Sequence, residues 1–166
     1  LPFPGLRPGE FVVLENGVPQ TIASAGAEEV PFNLAILLDL SGSTVHSRET
    51  MREAARRFIG VARAQDRVAL YAIAEDKFRT LATLTTDRQR LLDVADQIPD
   101  LRGSTPLYAS VALAWNEELA GRPNERNAII TISDGIDDSL EGKPGPVEFS
   151  RLRRAARAMP AAIYPV

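Results

Sequence analysis

The sequence predicts an α/β fold: a doubly wound, mostly parallel sheet with helices on both faces. Near-continuous apolar runs at 33–39, 67–74 and 128–133 read as strands buried on both sides of a sheet. Stretches with apolar residues at helical spacing lie between them. Strands and helices in alternation, with no internal repeat, are what a parallel sheet with crossover helices requires.

Residues 1–31 differ in texture and are expected to form an N-terminal extension. Pro2, Pro4 and Pro8 favour extended chain. Phe11, Val12, Val13, Leu14 and Glu15, then Asn16-Gly17, then 18–23 predict a small β-hairpin, since Asn-Gly accepts the positive φ of a tight turn. Residues 24–29, small and polar, read as a linker.

The regular pattern occupies 32–166. After the strand at 33–39, a helix is predicted over 47–64. Met51, Ala54, Ala55, Phe58, Val61 and Ala62 form its apolar face, with Arg48, Arg52, Glu53 and Arg56 mostly opposite. Beyond the strand at 67–74, Glu75-Asp76-Lys77 is too short for a crossover helix, so 78–84 should return antiparallel. Leu91, Leu92, Val94, Ala95 and Ile98 give a helix over 87–98, followed by a loop at 99–105. Pro106 suits the first turn of a helix running to about Ala120, with Leu107, Val111, Ala114 and a core Trp115. The strand at 128–133 is next, then 141–146, where Gly and Pro fill four of six positions and predict a mobile loop. A basic amphipathic helix over 147–159 carries Arg151, Arg153, Arg154 and Arg157 on what reads as a solvated face. The last strand is 161–166. The expected sheet order is 3-2-1-4-5, counting from the strand at 33–39, with strand 3 antiparallel.

Composition narrows the function classes. The chain has 166 residues, enough for one substantial core, and 45% hydrophobic with 25% charged residues excludes disordered and low-complexity classes. With 19 Lys+Arg against 22 Asp+Glu, the net charge of -3 argues against wholesale binding of nucleic acid. No apolar run reaches the roughly 18 residues of a membrane span. The absence of Cys excludes disulfides, thiolate metal sites and Cys nucleophiles. The single histidine, His46, reads as a surface residue and excludes a His-rich zinc site. The chain begins at Leu1 with no signal peptide, so a processed or excised piece is expected.

In open α/β sheets, ligands bind beyond the carboxyl ends of the strands, where the strand order reverses. The strand at 33–39 ends in Asp39-Leu40-Ser41-Gly42-Ser43, one carboxylate and two hydroxyls on a short loop. The strand at 128–133 ends in Ser133-Asp134-Gly135, a second carboxylate at the same edge. The 102–106 loop adds the Thr105 hydroxyl. Hard oxygen donors without His or Cys suit Mg²⁺, or Mn²⁺ or Ca²⁺, rather than zinc or copper. Two plainer roles stay open: Asp39, Ser41 and Ser43 capping the next helix, and Thr105 capping the helix at Pro106. Asp137 and Asp138 read as a solvated loop.

The pieces Asp39-Leu-Ser41-Gly-Ser43, Gly103-Ser-Thr105-Pro-Leu-Tyr and Ser133-Asp134-Gly135, in this order and spacing, resemble the metal-ion-dependent adhesion site of von Willebrand factor A domains. The resemblance spans about 32–166, and 11–23 is similar to the lead-in of bacterial proteins related to that family. It implies that Ser41, Ser43 and Thr105 offer hydroxyls to the cation, and that Asp39 and Asp134 hold it directly or through water. It also implies one open coordination position, filled by an Asp or Glu of a partner protein, no catalysis, and an extracytoplasmic parent protein. The family continues with a further strand and helix, so a domain truncated at Val166, with an exposed last strand, is expected.

Two other classes compete. A phosphohydrolase of the haloacid dehalogenase type would use Asp39 as nucleophile, but needs a second aspartate where this chain has Ser41, and a lysine for which the only downstream candidate is Lys143. A purely structural domain with a degenerate metal site is the other, and is weakened because all five ligand positions are intact. A serine hydrolase lacks the G-x-S-x-G elbow.

Overall fold

In the computed structural model, which describes residues 7–23, 31–75, 77–137 and 149–166, the chain divides into two units, Leu1–Val30 and Pro31–Val166. In the first unit, a 3-10 turn at Pro8–Glu10 precedes an antiparallel hairpin of β1 (Val13–Glu15) and β2 (Val18–Gln20). Asn16 (φ 52°) and Gly17 (φ 81°) make the turn, the pair of positive φ angles a two-residue hairpin loop demands. The ladder, Val13–Glu15 against Val18–Gln20, is shorter than 11–23.

The second unit holds a five-stranded sheet of order β5-β4-β3-β6-β7. β3 (Phe32–Asp39) lies parallel to β4 (Arg67–Ala74) on one side and to β6 (Arg126–Ile132) on the other. β5 (Lys77–Thr85) runs antiparallel to β4, and β7 (Ala161–Pro165) parallel to β6. This is the predicted order with its antiparallel strand 3. Among the described residues β7 pairs with β6 alone and leaves Tyr164 and Val166 exposed, as expected of an edge.

Strand alternation makes two cores. Leu34, Ile36 and Leu38 of β3 face α1 (Arg48–Val61) and α2 (Arg88–Asp96), meeting Met51, Ala55 and Ile59 of one helix and Leu91 and Ala95 of the other. Ala35 and Leu37 face the opposite way, packing with Leu107, Val111 and Ala114 of α3 (Leu107–Ala114). The periodicity that predicted these helices is the one their buried stripes show, except that Val61, expected on the apolar face, is 79% exposed at the last position of α1, where the helix ends. Asp87 stands at the N-cap of α2 and accepts a bond from Arg90 N at 3.0 Å, so that helix starts one residue later than predicted.

Pro106 sits at the N-cap of α3 rather than in its first turn, and the helix widens into a π-turn at Trp115–Leu119 instead of running uniformly to Ala120. Trp115 is half-buried against the second core. The basic helix is α4 (Phe149–Ala158), with Arg153, Arg154 and Arg157 exposed. The predicted linker at 24–29, the loop at 141–146 and Asp138 lie outside the described residues.

Candidate metal centre

Asp39 is the last residue of β3, and the register of β3 on β6 pairs Leu38 with Ile132. Ser133 therefore follows β6 beside Asp39. Strand parity puts Asp39 on the side of Ala35 and Leu37, under α3, and Thr105 stands just ahead of that helix. Local sequence and sheet register thus bring the oxygens together.

The Asp39 carboxylate is 1% exposed, a burial that requires hydrogen-bond donors around it. Oδ1 accepts the Thr105 hydroxyl at 2.9 Å and the Ser41 N–H at 3.0 Å; Oδ2 accepts the Ser133 hydroxyl at 2.6 Å. Ser41 Oγ lies 3.1 Å from Ser43 Oγ. Ser41 and Thr105 are buried, whereas Ser43 and Asp134 are exposed. Asp134 accepts from the Ile136 N–H at 3.2 Å and lines a cleft that also contains Ser43, Thr44 and Ser133. Asp39, Ser41, Ser43 and Thr105 are therefore linked by direct hydrogen bonds, and Asp134 joins them at the solvent-facing rim.

Three residues that the sequence reading placed elsewhere, or gave no role, shape this site. Ser133, in the sequence only the neighbour of Asp134, donates its hydroxyl to Asp39 Oδ2 at 2.6 Å. Arg48, expected on the solvated face of its helix, is 8% exposed. Its Nη1 donates to Asp39 O at 3.1 Å, and its Nη2 to Leu40 O at 2.6 Å, Ser41 O at 2.9 Å and Leu101 O at 2.6 Å. The chain turns at the end of β3 and leaves its carbonyls without strand partners, and buried carbonyls need donors. Burial lowers the Arg48 pKa from its ordinary value, while the Asp100 and Asp39 charges act in the opposite direction. Asp137, expected in a solvated loop, is 5% exposed and accepts the Tyr108 N–H of α3 at 2.8 Å. A helix N-terminus has unpaired N–H groups, and Asp137 takes one of them. The N-cap position of α3 is Pro106, and the Thr105 hydroxyl ahead of it donates to Asp39.

Two more contacts fix the loops. The Thr44 hydroxyl donates to Asp39 O at 2.7 Å, and Gly42 N donates to Gly103 O at 3.2 Å. Gly103 has φ 100°, a conformation that favours glycine, and a Cβ there would be in tight contact with the Glu75 Cα at 3.1 Å.

The donor set consists of carboxylates and hydroxyls. Among the described residues no group of three or more His, Cys, Asp or Glu gathers in one place, so a cation here would depend on hydroxyl oxygens beside the carboxylates. That set fits a hard divalent cation that retains water. His46 is exposed, as expected.

A family model described as von Willebrand factor type A domain matches residues 34–137. No curated protein matches the chain. Among solved structures, a von Willebrand factor type A protein from Catenulispora acidiphila superposes with a TM-score of 0.68 at 17% identity, covering 82% of this chain and 33% of that one. Proximal thread matrix protein 1 from the mussel byssus, with a zinc-occupied MIDAS motif, gives 0.68 at 15% identity, covering 82% and 35%. The three N-terminal domains of the type V pili tip protein Mfa5 from Porphyromonas gingivalis give 0.56 at 20% identity, covering 65% and 20%. The chain thus spans between a fifth and about a third of the length of these proteins. At such identities the likeness is one of fold.

Proposed function

Because the chain belongs to the von Willebrand factor type A domain family, we propose that it is a divalent-cation-dependent protein-interaction module whose metal-ion-dependent adhesion site is Asp39, Ser41, Ser43, Thr105 and Asp134. One observation carries this reading: oxygens from two separate loops meet around Asp39 through direct hydrogen bonds, beside the cleft that holds Asp134. The interaction role belongs to residues 32–166, with 1–31 as an extension.

Ser41, Ser43 and Thr105 would hold the ion through neutral hydroxyls, and Asp39 and Asp134 through carboxylates, directly or by way of water. Mg²⁺ is the first choice, with Mn²⁺ or Ca²⁺ as substitutes. A bound divalent ion supplies a positive charge that two carboxylates only partly offset, and this attracts an Asp or Glu of a partner. The chain's own residues do the rest. Ser133 and the Ser41 N–H orient the Asp39 carboxylate, and the exposed Ser43 and Asp134 form the rim where a partner's acid enters. The pilus tip protein and the byssus matrix protein that share the fold support an interaction role and an extracytoplasmic parent protein. We assign no catalysis: both Asp39 oxygens already accept hydrogen bonds in a buried position, which suits a held ligand better than a nucleophile.

The test is biolayer interferometry against a panel of acidic peptides and candidate partners, with Mg²⁺ and with EDTA. Binding should require the cation and should fall in Thr105→Ala, at a stability cost of about 1–3 kcal/mol for the bond taken from a buried carboxylate. Asp39→Ala should abolish it. Binding that survives both EDTA and Asp39→Ala would move the interface elsewhere on the molecule.

A further inference from the structure

The two Nη groups of Arg48 make four hydrogen bonds to main-chain oxygens of the loops that carry the candidate ligands, and a fifth to the Thr44 hydroxyl. They hold the carbonyls of Asp39, Leu40 and Ser41 in succession, and that of Leu101 in the loop leading to Thr105. An ion that drew on one of these carbonyls would have to share its oxygen with the guanidinium, whose positive charge opposes a second cation there. The same two loops are joined again by Gly42 N to Gly103 O, at 3.2 Å.

This bears on which ion fits. Ca²⁺ gathers about 6–8 oxygens in a flexible shell that commonly includes backbone carbonyls. Mg²⁺ demands near-octahedral geometry, keeps several waters and manages with one or two carboxylates. A loop pair with its carbonyls taken and its halves fastened together offers few extra ligands and little freedom to expand. We propose that Arg48 is a specificity-determining residue that sets the preference of this site for Mg²⁺ over Ca²⁺. The inference rests on reading Asp39, Ser41, Ser43, Thr105 and Asp134 as a cation site. Arg48 itself is a positioning residue and touches no ion.

Calorimetric titration of the EDTA-stripped chain, with Mg²⁺ and Ca²⁺ in separate runs, tests it on wild type, Arg48→Lys and Arg48→Met. Wild type should bind Mg²⁺ more tightly than Ca²⁺. Both variants should narrow the ratio of the two dissociation constants by about tenfold, mainly by gaining affinity for Ca²⁺. A merely structural lesion would weaken both ions alike and leave the ratio unchanged. Arg48→Lys keeps a cation in the buried position and carries the test if Arg48→Met does not fold. Failure of wild type to bind either ion would defeat the cation site and this inference with it. A wild-type site that binds Ca²⁺ as tightly as Mg²⁺, or a ratio that survives in the variants, would overturn the role of Arg48 alone.

Discussion

Asp66, in the turn between α1 and β4, is a carboxylate only 5% exposed, and its partners decide its behaviour. Burial raises its pKa, but the Arg63 guanidinium, with the N–H groups of Arg63 and Phe32, outweighs burial and holds the group at about 2 against an ordinary 3.8. Because the folded-state value is the lower one, the stability Asp66 adds is complete above 3.8 and is lost as the pH falls toward about 2. Urea midpoints of wild type should therefore fall across that window, and Asp66→Asn should flatten that part of the profile. An unchanged slope in the variant would remove Asp66 from acid unfolding. At this same scale, the neighbourhood of the candidate site was legible where its residues are close in sequence. Asp39, Ser41 and Ser43 form one short motif, and Thr105 announces itself before a helix. Arg48 and Asp137 were not legible. Helical periodicity assigns Arg48 to solvent and a polar loop does the same for Asp137, and the carbonyls and N–H groups that draw these two inward exist only once β3 ends and α3 begins where they do.

Among the elements, the 99–106 loop reaches the site from outside the β3 motif, delivering both Thr105 and the Leu101 carbonyl. Gly103→Ala would add a Cβ at 3.1 Å from the Glu75 Cα, in a backbone conformation with φ 100°. The expected cost is about 1–3 kcal/mol. Cation affinity should fall with it, because the Gly42–Gly103 bond would be displaced. Chemical denaturation together with Mg²⁺ titration checks both effects; a variant as stable as wild type would mean that the loop yields without strain. Helices and strands were readable from apolar spacing, which depends on the buried stripe rather than on exact ends. The ends moved by one to three residues, at α2 because Asp87 caps the helix. The π-turn at Trp115–Leu119 has no counterpart in the spacing rules, because it closes the helix and little apolar stripe follows it to register the shift.

For the molecule as a whole, sheet order follows from connection lengths. A two-residue link forces β5 back against β4, while helix-length links make β3, β4, β6 and β7 parallel. This brings the ends of β3 and β6 side by side, which is why Asp39 and Ser133 meet. A ligand that binds only the folded chain stabilises all of it, so the cation site has a global readout. The most direct measurement is the thermal unfolding midpoint of EDTA-stripped protein before and after adding millimolar Mg²⁺, Mn²⁺ or Ca²⁺. An ion present at about 100 times its dissociation constant should add about 2.7 kcal/mol. For a chain of this size, that is a rise of about 5–10 °C, and Asp39→Ala should abolish it. A midpoint that moves with none of the three ions, at concentrations up to tens of millimolar, would contradict the account.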